Sequence, residues 1–333
     1  MKNSFLVITS IQGPENPVIK TFAKEASVRD ISFILIGDKK SPKNFSLDGC
    51  DFYSVDRQKK MPFGISSCLP YNHYSRKNLG YLAAIQAGAA VIIETDDDNY
   101  PLDNFWKKRE SCVKASQPVT NGWVNIYRYF TDVNIWPRGY SLNHISRINP
   151  GLSASSENNC PIQQGLANGN TDVDAIYRMV FNQTVEFKKG RNIALGNNKI
   201  CPFNSQNTTW FREAFMLMYL PSFCSFRMTD ILRSFIAQRI AWTCGWSILF
   251  HQSTVFQERN EHNLMKDFVD EIPGYKNNDT ICKVLCELEL ETGRDRIADN
   301  MISCYKKLTD IALLGKKELF ILDKWLNDVN KYS

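Results

Sequence analysis

The 333-residue sequence lacks several patterns that mark well-known classes of protein. Its ten cysteines include no C-x-x-C pair, which excludes zinc-ribbon and thioredoxin types of site. No apolar stretch reaches the roughly 18 residues of a membrane-spanning helix. The first thirteen residues, MKNSFLVITSIQG, carry no small-residue cleavage site and read as a first core strand rather than a signal peptide. Because unpaired cysteines fit a reducing compartment, we expect a cytoplasmic location, with any membrane attachment peripheral.

The sequence also lacks a concentration of positive charge. Lys and Arg residues are scattered along the chain, and the net charge is only +5. Proteins that bind nucleic acid usually gather such residues on one face. The charge distribution therefore favours a small anionic ligand and gives no support to nucleic acid as a partner.

Apolar runs of strand length alternate with helix-length segments in the first hundred residues. The expected strands cover 5–11, 31–38, 51–55 and 90–94. Between the last two strands, residues 75–87 have apolar side chains at near-helical spacing, and Gly88 follows as the helix end. This order predicts β-α-β units, whose usual form is a parallel sheet with right-handed crossovers.

The amino-acid pattern of the rest of the chain changes twice. Residues 118–174 are rich in Asn, Gly and Pro and predict a long irregular segment, which in a compact domain is usually functional. Helical patterns then predominate, and they predict helices at 229–246, 279–291, 295–313 and 316–331. We therefore divide the chain into an α/β domain at 1–260 and a helical extension at 261–333, packed on the first domain.

Three adjacent aspartates, Asp96–Asp98, end the fourth expected strand. Their carboxylates repel one another, and in open α/β sheets ligands bind at the carboxyl ends of the strands. A hard divalent cation such as Mg²⁺ or Mn²⁺, held by one or two carboxylates and by substrate phosphates, would explain the crowding. The alternative is a solvated polar turn. An EF-hand loop is excluded, because the stretch after Asp96 lacks its alternating ligands, central Gly and terminal Glu.

The stretch LPYNHYSRKNLGYLAAIQAGAAVIIETDDDN, at 69–99, resembles a signature of the STELLO family of glycosyltransferases. Similar segments follow in the same order, among them WPRGYSL, IQQGLANGNTDVDAIY and NTTWFREAFMLMYLPSFCSFRMTDILRSFIAQRIAW, so the likeness covers nearly the whole chain. One difference is that plant members have Asp-Ala-Asp-Asp-Arg where this chain has Glu94 to Asp98. A more distant similarity is to the reversibly glycosylated polypeptides, which act as UDP-arabinopyranose mutases.

The resemblance implies an α/β fold of the GT-A nucleotide-diphospho-sugar transferase kind, with a mostly parallel central sheet. It also implies roles for the acidic and basic residues at 76–98. Asp96 would meet the donor ribose or the water shell of the metal, and Asp98 would bind Mn²⁺ or Mg²⁺, with Asp97 as the competing ligand. Arg76 and Lys77 would contact the donor phosphates, since cations are otherwise disfavoured at a helix start.

Further candidates follow from position in the expected fold. Strand-end or turn residues that could contact the donor are Thr9, Ser10, Gly37, Asp38 and Arg138, with Gln163 and Gln164 as possible sugar contacts. Each of these strand-end and turn residues could equally be structural. His251 could be a further metal ligand, although a lone histidine is more often a packed residue. Arg233 and Arg239 could face the substrate, although helical arginines more often lie along a surface.

A base is needed for the acceptor hydroxyl if the reaction inverts the anomeric centre. Asp230 is the first candidate, with Asp172 and Asp174 as rivals. Asp is also a favoured helix N-cap, which implies no catalysis.

The resulting prediction is a metal-dependent glycosyltransferase that moves a sugar from a nucleotide-diphosphate donor to a glycan or glycoconjugate acceptor in polysaccharide biosynthesis. One alternative is a nucleotide-sugar mutase. Another is a non-catalytic scaffold that binds other polysaccharide-synthesis enzymes through its helical tail.

Overall fold

A computed structural model describes residues 3–181, 183–258 and 263–332 of the protein. Within these ranges the chain forms strands and helices in a mixed α/β arrangement with helices at its C-terminal end, so the predicted fold class is confirmed. The strands are β1 (Ser4–Thr9), β2 (Ile31–Ile36), β3 (Asp51–Tyr53), β4 (Val91–Thr95), β5 (Asn99–Pro101), β6 (Cys112–Ala115), β7 (Gly122–Trp123), β8 (Ser156–Asn159), β9 (Ile162–Gly169), β10 (Asn192–Leu195), β11 (Lys199–Ile200), β12 (Asn207–Phe211) and β13 (Ile248–Gln257).

The helices lie between and after these strands. They are α1 (Pro17–Val28), α2 (Val55–Lys59), α3 (Lys77–Gln86), α4 (Ala175–Val180), α5 (Thr229–Thr243), α6 (Leu264–Glu287), α7 (Ile297–Asp310) and α8 (Lys317–Tyr332). A short 3₁₀ turn, Tyr74–Arg76, leads directly into α3. Gly88, at φ +83°, follows the last turn of α3, a backbone conformation that glycine adopts without strain.

The first half of the central sheet is parallel. Its strand order begins β3-β2-β1-β4, and every neighbouring pair in this group runs in the same direction. The side chains of β1 and β2 are almost all buried, as expected for strands covered by helices on both faces. All four carboxyl ends therefore lie at one edge of the sheet.

The second half of the sheet continues in the order β12-β9-β13-β10, and here parallel and antiparallel pairs are mixed. β12 is antiparallel to both β4 and β9, so β9 runs in the same direction as β4, and β13 is parallel to β9. The expectation of a long irregular segment at 118–174 is wrong at its end, because β9 forms there. Its sequence, IQQGLANG, is polar and contains two glycines, so it lacks the β-branched pattern that identifies a strand.

The C-terminal helices differ from prediction at one boundary. The first of them, α6, begins at Leu264 and passes through Pro273 and Gly274, where the sequence indicates a break. Gly274 suits this place because a Cβ atom there would lie 2.4 Å from the Met228 sulfur. The helix can therefore pack closely on the segment before α5.

The helices α6 to α8 share a core with the α/β part. Trp325 of α8 belongs to the same buried cluster as Leu79 and Tyr81 of α3. Asp328 of α8 accepts hydrogen bonds from the backbone amides of Gly64 and Ile65, at 2.9 and 3.0 Å. The predicted domain boundary, between 260 and 261, lies outside the described residues and stays a prediction. Among the described helices, none combines the length and the hydropathy that crossing a bilayer requires.

Candidate functional site

A cavity of about 400 Å³ lies where the carboxyl ends of β1, β2 and β4 meet. This is the edge at which open α/β sheets bind their ligands. Most of the site residues predicted from the sequence line it, namely Thr9, Ser10, Gly37, Asp38, Arg76, Asp96, Asp97, Asp98, Arg138, Asp172 and Asp230. Lys77, Gln164, Asp174 and His251 are not among its lining residues.

The three adjacent aspartates have different partners. Asp96 accepts hydrogen bonds from the Tyr74 hydroxyl and from the Lys77 Nζ, the latter at 3.1 Å. Asp97 accepts from the Ser10 hydroxyl, and Asp98 Oδ2 accepts from Gln257 Nε2 at 2.9 Å. Burial and the neighbouring Asp96 charge raise the pKa of Asp98 to about 6, and burial also raises the pKa of Asp97. The fold thus holds together negative charges that repel one another and that would be better solvated in water.

Lys77 is a buried cation beside the three aspartates. It is buried, and its ammonium group contacts Asp96, the Tyr74 hydroxyl at 2.8 Å and the Thr95 carbonyl at 2.7 Å. A lysine held by so many fixed partners is a counter-charge for Asp96. The predicted direct contact between Lys77 and a donor phosphate is therefore not favoured by this geometry.

Arg76 lies beside Lys77 in the sequence but in a different environment. Its Nε donates to Gln58 Oε1 at 2.9 Å, and its guanidinium group lies 4.6 Å from the Tyr71 ring centre. Burial lowers the pKa of Arg76. No described carboxylate forms an ion pair with it. A buried arginine without an anionic partner at the edge of a cavity suits an anionic ligand.

A compact ion-pair network, Asp172–Arg138–Asp230, forms another wall of the cavity. Arg138 Nε donates to Asp172 Oδ1 at 2.8 Å, and its Nη2 donates to Asp230 Oδ2 at 2.9 Å. Asp230 also accepts from the Ser205 amide at 3.2 Å, and Asn204 Nδ2 donates to Asp172 at 2.7 Å. Burial alone would raise the pKa of Asp230, but the adjacent Arg138 charge outweighs it and holds that pKa well below its usual range. A carboxylate of this kind is a weak base.

The helix-cap alternative applies to Asp174 rather than to Asp230. Asp174 is the N-cap of α4, and its Oδ1 accepts from the Tyr177 amide at 2.7 Å. Its Oδ2 accepts from Trp136 Nε1 at 2.6 Å. Asp230 instead lies in the first turn of α5, after Met228 at the cap position. Asp174 therefore has a structural role, in agreement with its absence from the residues that line the cavity.

Two other candidates lie within the sheet. Gln164 of β9 accepts from the Asn204 amide at 2.9 Å and from the Thr208 hydroxyl at 3.0 Å, so it positions the segment beside the cavity. His251 of β13 lines a different cavity. Burial, with a further effect of the Arg109 charge, lowers the pKa of His251 to about 3. The structure does not bring His251 to the three aspartates.

The two helical arginines named as possible substrate contacts have internal partners. Arg233 of α5 is buried and forms an ion pair with Glu94 at 2.7 Å. Arg239 donates to the carbonyls of Leu285 and Leu288, at 2.8 and 2.6 Å, where α6 ends. This is a favourable place for a cation, because helix carbonyls are unsatisfied there. Both arginines stabilise the fold.

Several cavity residues were missed by the sequence analysis. They are Lys40, Asn72, His73, Tyr74, Gln206, Phe226, Arg227 and Gln257. Two features of the sequence could have identified some of these residues. His73 and Tyr74 belong to the motif NHYSRK, and Gln257 is the last residue of a strand that ends at the same sheet edge. Arg227 forms an ion pair with Glu271 of α6 at 2.7 Å, a contact that no local pattern indicates.

The donor atoms near Asp96–Asp98 fit a hard divalent cation. Within the described ranges there is no cluster of three or more His, Cys, Asp or Glu side chains arranged to hold a metal ion by themselves. Mg²⁺ is commonly held by only one or two carboxylates together with waters and substrate phosphates. Asp96 and Asp98 supply two carboxylates at the cavity wall, so the residues present are sufficient for that mode of binding.

The chain is similar to a family of glycosyltransferases. Residues 227–333 match the family model described as STELLO glycosyltransferases. Two Arabidopsis thaliana proteins match over most of the chain: "Probable glycosyltransferase STELLO1" at 26% identity over 97% of this chain, and "Probable glycosyltransferase STELLO2" at 27% identity over 89%. These matches confirm the resemblance that the sequence motifs indicated. The matched regions cover 44% and 41% of those relatives, so the chain spans less than half of their length.

A weaker likeness exists among solved structures. The chain titled "Crystal Structure of a Mycobacterial Protein" superposes with a TM-score of 0.44 at 8% identity, covering 83% of this chain and 74% of that chain. A likeness of this degree does not bear on the fold or the function.

Proposed function

We propose that the protein is a metal-dependent glycosyltransferase that moves a sugar from a nucleotide-diphosphate donor to a glycan or glycoconjugate acceptor. The observation that carries this proposal is the cavity at the sheet edge, which Asp96, Asp97 and Asp98 line together with the cationic side chain of Arg76. Carboxylates for a cation and cations for phosphates are the two requirements of a nucleoside-diphosphate site. The similarity to STELLO glycosyltransferases supports the same conclusion.

Different parts of the cavity suit different parts of the donor. The ends of β1 and β2 offer small and polar residues, Thr9, Ser10, Gly37 and Asp38, which leave room for a nucleoside. Phe226 is half exposed at the same cavity and offers an aromatic face. The arrangement at these strand ends is the basis on which we also propose the GT-A variety of α/β fold.

The diphosphate would lie between the aspartates and Arg76. Asp96 and Asp98 would hold Mn²⁺ or Mg²⁺, which when bound neutralises charge on the departing nucleoside diphosphate. Arg76 keeps an unpaired charge near that position, and Lys77 holds Asp96 in place. Asp97, which accepts a hydrogen bond from the Ser10 hydroxyl, is the competing metal ligand.

The Asp172–Arg138–Asp230 network has a positioning role in this proposal. Its carboxylates share one arginine, and Asp230 is a weak base because its pKa is held low. Both carboxylates fix Arg138 in the wall of the cavity and also offset its charge, so the network shapes the wall and leaves the donor phosphates to Arg76 and the metal. This role replaces the general base predicted from the sequence.

Calorimetric titration with UDP, GDP and CMP, each with and without Mn²⁺, tests the proposal. We expect metal-dependent binding of one nucleotide, weakened at least about tenfold in Asp98→Ala because a metal ligand is lost. The matched control is Asp323→Ala, which removes an exposed aspartate of α8. Unchanged affinity in Asp98→Ala would contradict the metal site.

The two alternatives give different results in the same experiments. A mutase converts the bound nucleotide sugar into a ring isomer without an acceptor, whereas a transferase needs one. Incubation of donor alone, followed by separation of the sugar isomers, distinguishes them. Failure of every nucleotide to bind at any Mn²⁺ concentration would favour a non-catalytic scaffold.

A further inference from the structure

A second cavity, of about 570 Å³, lies at the opposite end of the sheet from the candidate site. Gln163 at the start of β9 and His251 in the first half of β13 line it, whereas both strands run towards the candidate site at their carboxyl ends. The two cavities have no described lining residue in common. The second cavity is therefore a separate place on the molecule.

Positive charge predominates around this second cavity. Its cationic lining residues are Lys107, Lys108, Arg109, Lys114 and Arg191, and its acidic lining residues are Glu110 and Glu157. Glu110 is paired with Lys108 at 2.7 Å, and Glu157 accepts from the Cys112 thiol at 3.3 Å. The described lining residues include five cations and two carboxylates, so the potential there favours an anion.

Arg109 is the clearest sign of a ligand. Its Nε donates to the Thr209 hydroxyl at 3.1 Å, and its Nη2 reaches the Phe105 carbonyl at 3.5 Å. Its Nη1 donates to no described residue, and no described carboxylate pairs with it. Burial lowers the pKa of Arg109 to about 10. A partly desolvated guanidinium group without a counter-ion is costly unless an anion binds to it.

His251 provides an independent observation. It is only 8% exposed, and its Nδ1 lies 3.0 Å from the Gln252 carbonyl, which makes Nδ1 the protonated nitrogen. Its Nε2 is buried and has no hydrogen-bond partner among the residues that the structure describes. An unpaired nitrogen of neutral imidazole is an acceptor, so it suits a ligand hydroxyl. The cavity therefore offers donors to an anion at Arg109 and an acceptor at His251.

We propose that this second cavity binds a small phosphate monoester that carries hydroxyl groups, such as a sugar phosphate. The fork of Arg109 would bind the phosphate oxygens, the surrounding lysines would add charge, and His251 Nε2 would accept from a hydroxyl. A phosphate monoester matches the excess of cations because it carries between one and two negative charges near neutral pH. The cavity volume leaves room for a sugar ring beside the phosphate.

Titration calorimetry at constant ionic strength tests this proposal with three probes: a hexose 1-phosphate, inorganic phosphate and the neutral hexose. We expect the hexose phosphate to bind more tightly than phosphate, and the neutral hexose not to bind. Arg109→Gln should weaken the hexose phosphate at least about tenfold. Arg296→Gln, which removes the same charge from an exposed position, should leave the affinity unchanged. Arg109→Lys should give an intermediate value, because it keeps the charge but loses the fork.

Imidazole NMR provides a second readout. The protein has four histidines, and the resonance missing from the His251→Gln spectrum identifies His251. We expect the hexose phosphate to shift that resonance in the wild type. Absence of binding by every probe, or equal loss of affinity in Arg109→Gln and Arg296→Gln, would overturn the proposal.

The same experiments separate this site from the candidate active site. Asp98→Ala should leave hexose phosphate binding unchanged, and Arg109→Gln should leave binding of nucleotide with Mn²⁺ unchanged. Displacement of hexose phosphate by nucleotide with Mn²⁺ would show that the probe occupies the first cavity, and would overturn the second site without affecting the first.

Discussion

Two groups of carboxylates line the candidate site, and the fold neutralises them in different ways. Asp172 and Asp230 enclose Arg138, which binds both through direct hydrogen bonds. In the group Asp96–Asp98 three carboxylates follow one another in the chain, and Lys77 forms an ion pair with Asp96. The result is a lowered pKa for Asp230 and a raised pKa, about 6, for Asp98.

The difference separates a structural network from a binding group. A buried carboxylate that already has its cation is satisfied and contributes to stability as long as the pair is intact. Carboxylates crowded on adjacent residues repel one another, which destabilises the unliganded protein, and a ligand cation can relieve that cost. We therefore expect changes in the two groups to alter the free energy of unfolding with opposite signs.

The largest expected effect is from Arg138→Met. This change leaves Asp172 and Asp230 buried without their cation, which should lower the free energy of unfolding by about 3–5 kcal/mol. Urea denaturation monitored by circular dichroism measures this loss of unfolding free energy. Arg57→Met is the matched control, since its partner Asp51 is half exposed and such a pair contributes about 1 kcal/mol or less. Equal losses in the two variants would show that the network is no more than a surface pair.

Asp174 extends the comparison to a buried carboxylate that forms no ion pair with any described cation. Burial raises its pKa from 3.8 to about 6. In the unfolded chain the group loses its proton at a lower pH, so the folded state binds the proton more tightly between pH 4 and 6. Below about pH 4 this group makes its full contribution to the free energy of unfolding. As the pH rises to about 6 that contribution is lost, and the free energy of unfolding falls by roughly 3 kcal/mol.

Asp174→Asn should remove this pH dependence. The amide retains the cap bond to the Tyr177 amide but cannot accept from Trp136, so the variant is somewhat less stable at low pH. The measurement is urea denaturation at several pH values from 4 to 7. For each protein it gives the slope of the free energy of unfolding against pH, and the slope of the variant is subtracted from that of the wild type. Identical slopes would mean that Asp174 titrates normally in the folded protein.

The smallest expected effect has the opposite sign. Asp97→Asn removes one of the adjacent negative charges, and the Ser10 hydroxyl can still pair with the amide. We expect the free energy of unfolding to rise by on the order of 1 kcal/mol in the presence of a chelator. Thermal unfolding detects this as an increase of a few degrees in the midpoint. A decrease in the unfolding midpoint would show that Asp97, like Asp172 and Asp230, is stabilised by its partners in the folded protein.

The parallel half of the sheet was predictable because its strands are continuous apolar runs. β1, β2 and β4 are rich in β-branched residues and are buried on both faces. β9 and β12 were not predictable, because they carry Gln163, Gln164 and Thr208 into the interior. Their polar groups are satisfied by partners on other segments, as in the 3.0 Å bond between Gln164 and Thr208. Such pairing depends on residues about forty positions apart and leaves no periodic pattern.

The same distinction applies to the candidate site. Side chains that directly follow β1, β2 and β4 could be found, because the carboxyl ends of parallel strands meet at one edge. The partner of Asp172 and Asp230 could not be found, since Arg138 joins segments that are more than thirty and ninety residues away in the chain. Lys77 and Arg76 are adjacent in sequence, and only the packing around them shows that one supports a carboxylate while the other lines the cavity.

The attachment of α8 to the α/β part has a consequence for the order of events during synthesis. Asp328 binds the amides of Gly64 and Ile65 across a sequence separation of more than 260 residues, and Trp325 completes a core that begins with α3. A nascent chain on the ribosome exposes that apolar surface until α8 has emerged. Contacts of such long range form slowly, and exposed apolar surface of this kind attracts chaperones and promotes aggregation. The core that α3 and α8 share is therefore complete only after α8 has emerged, although Asp96–Asp98 precede α8 by more than 200 residues in the chain.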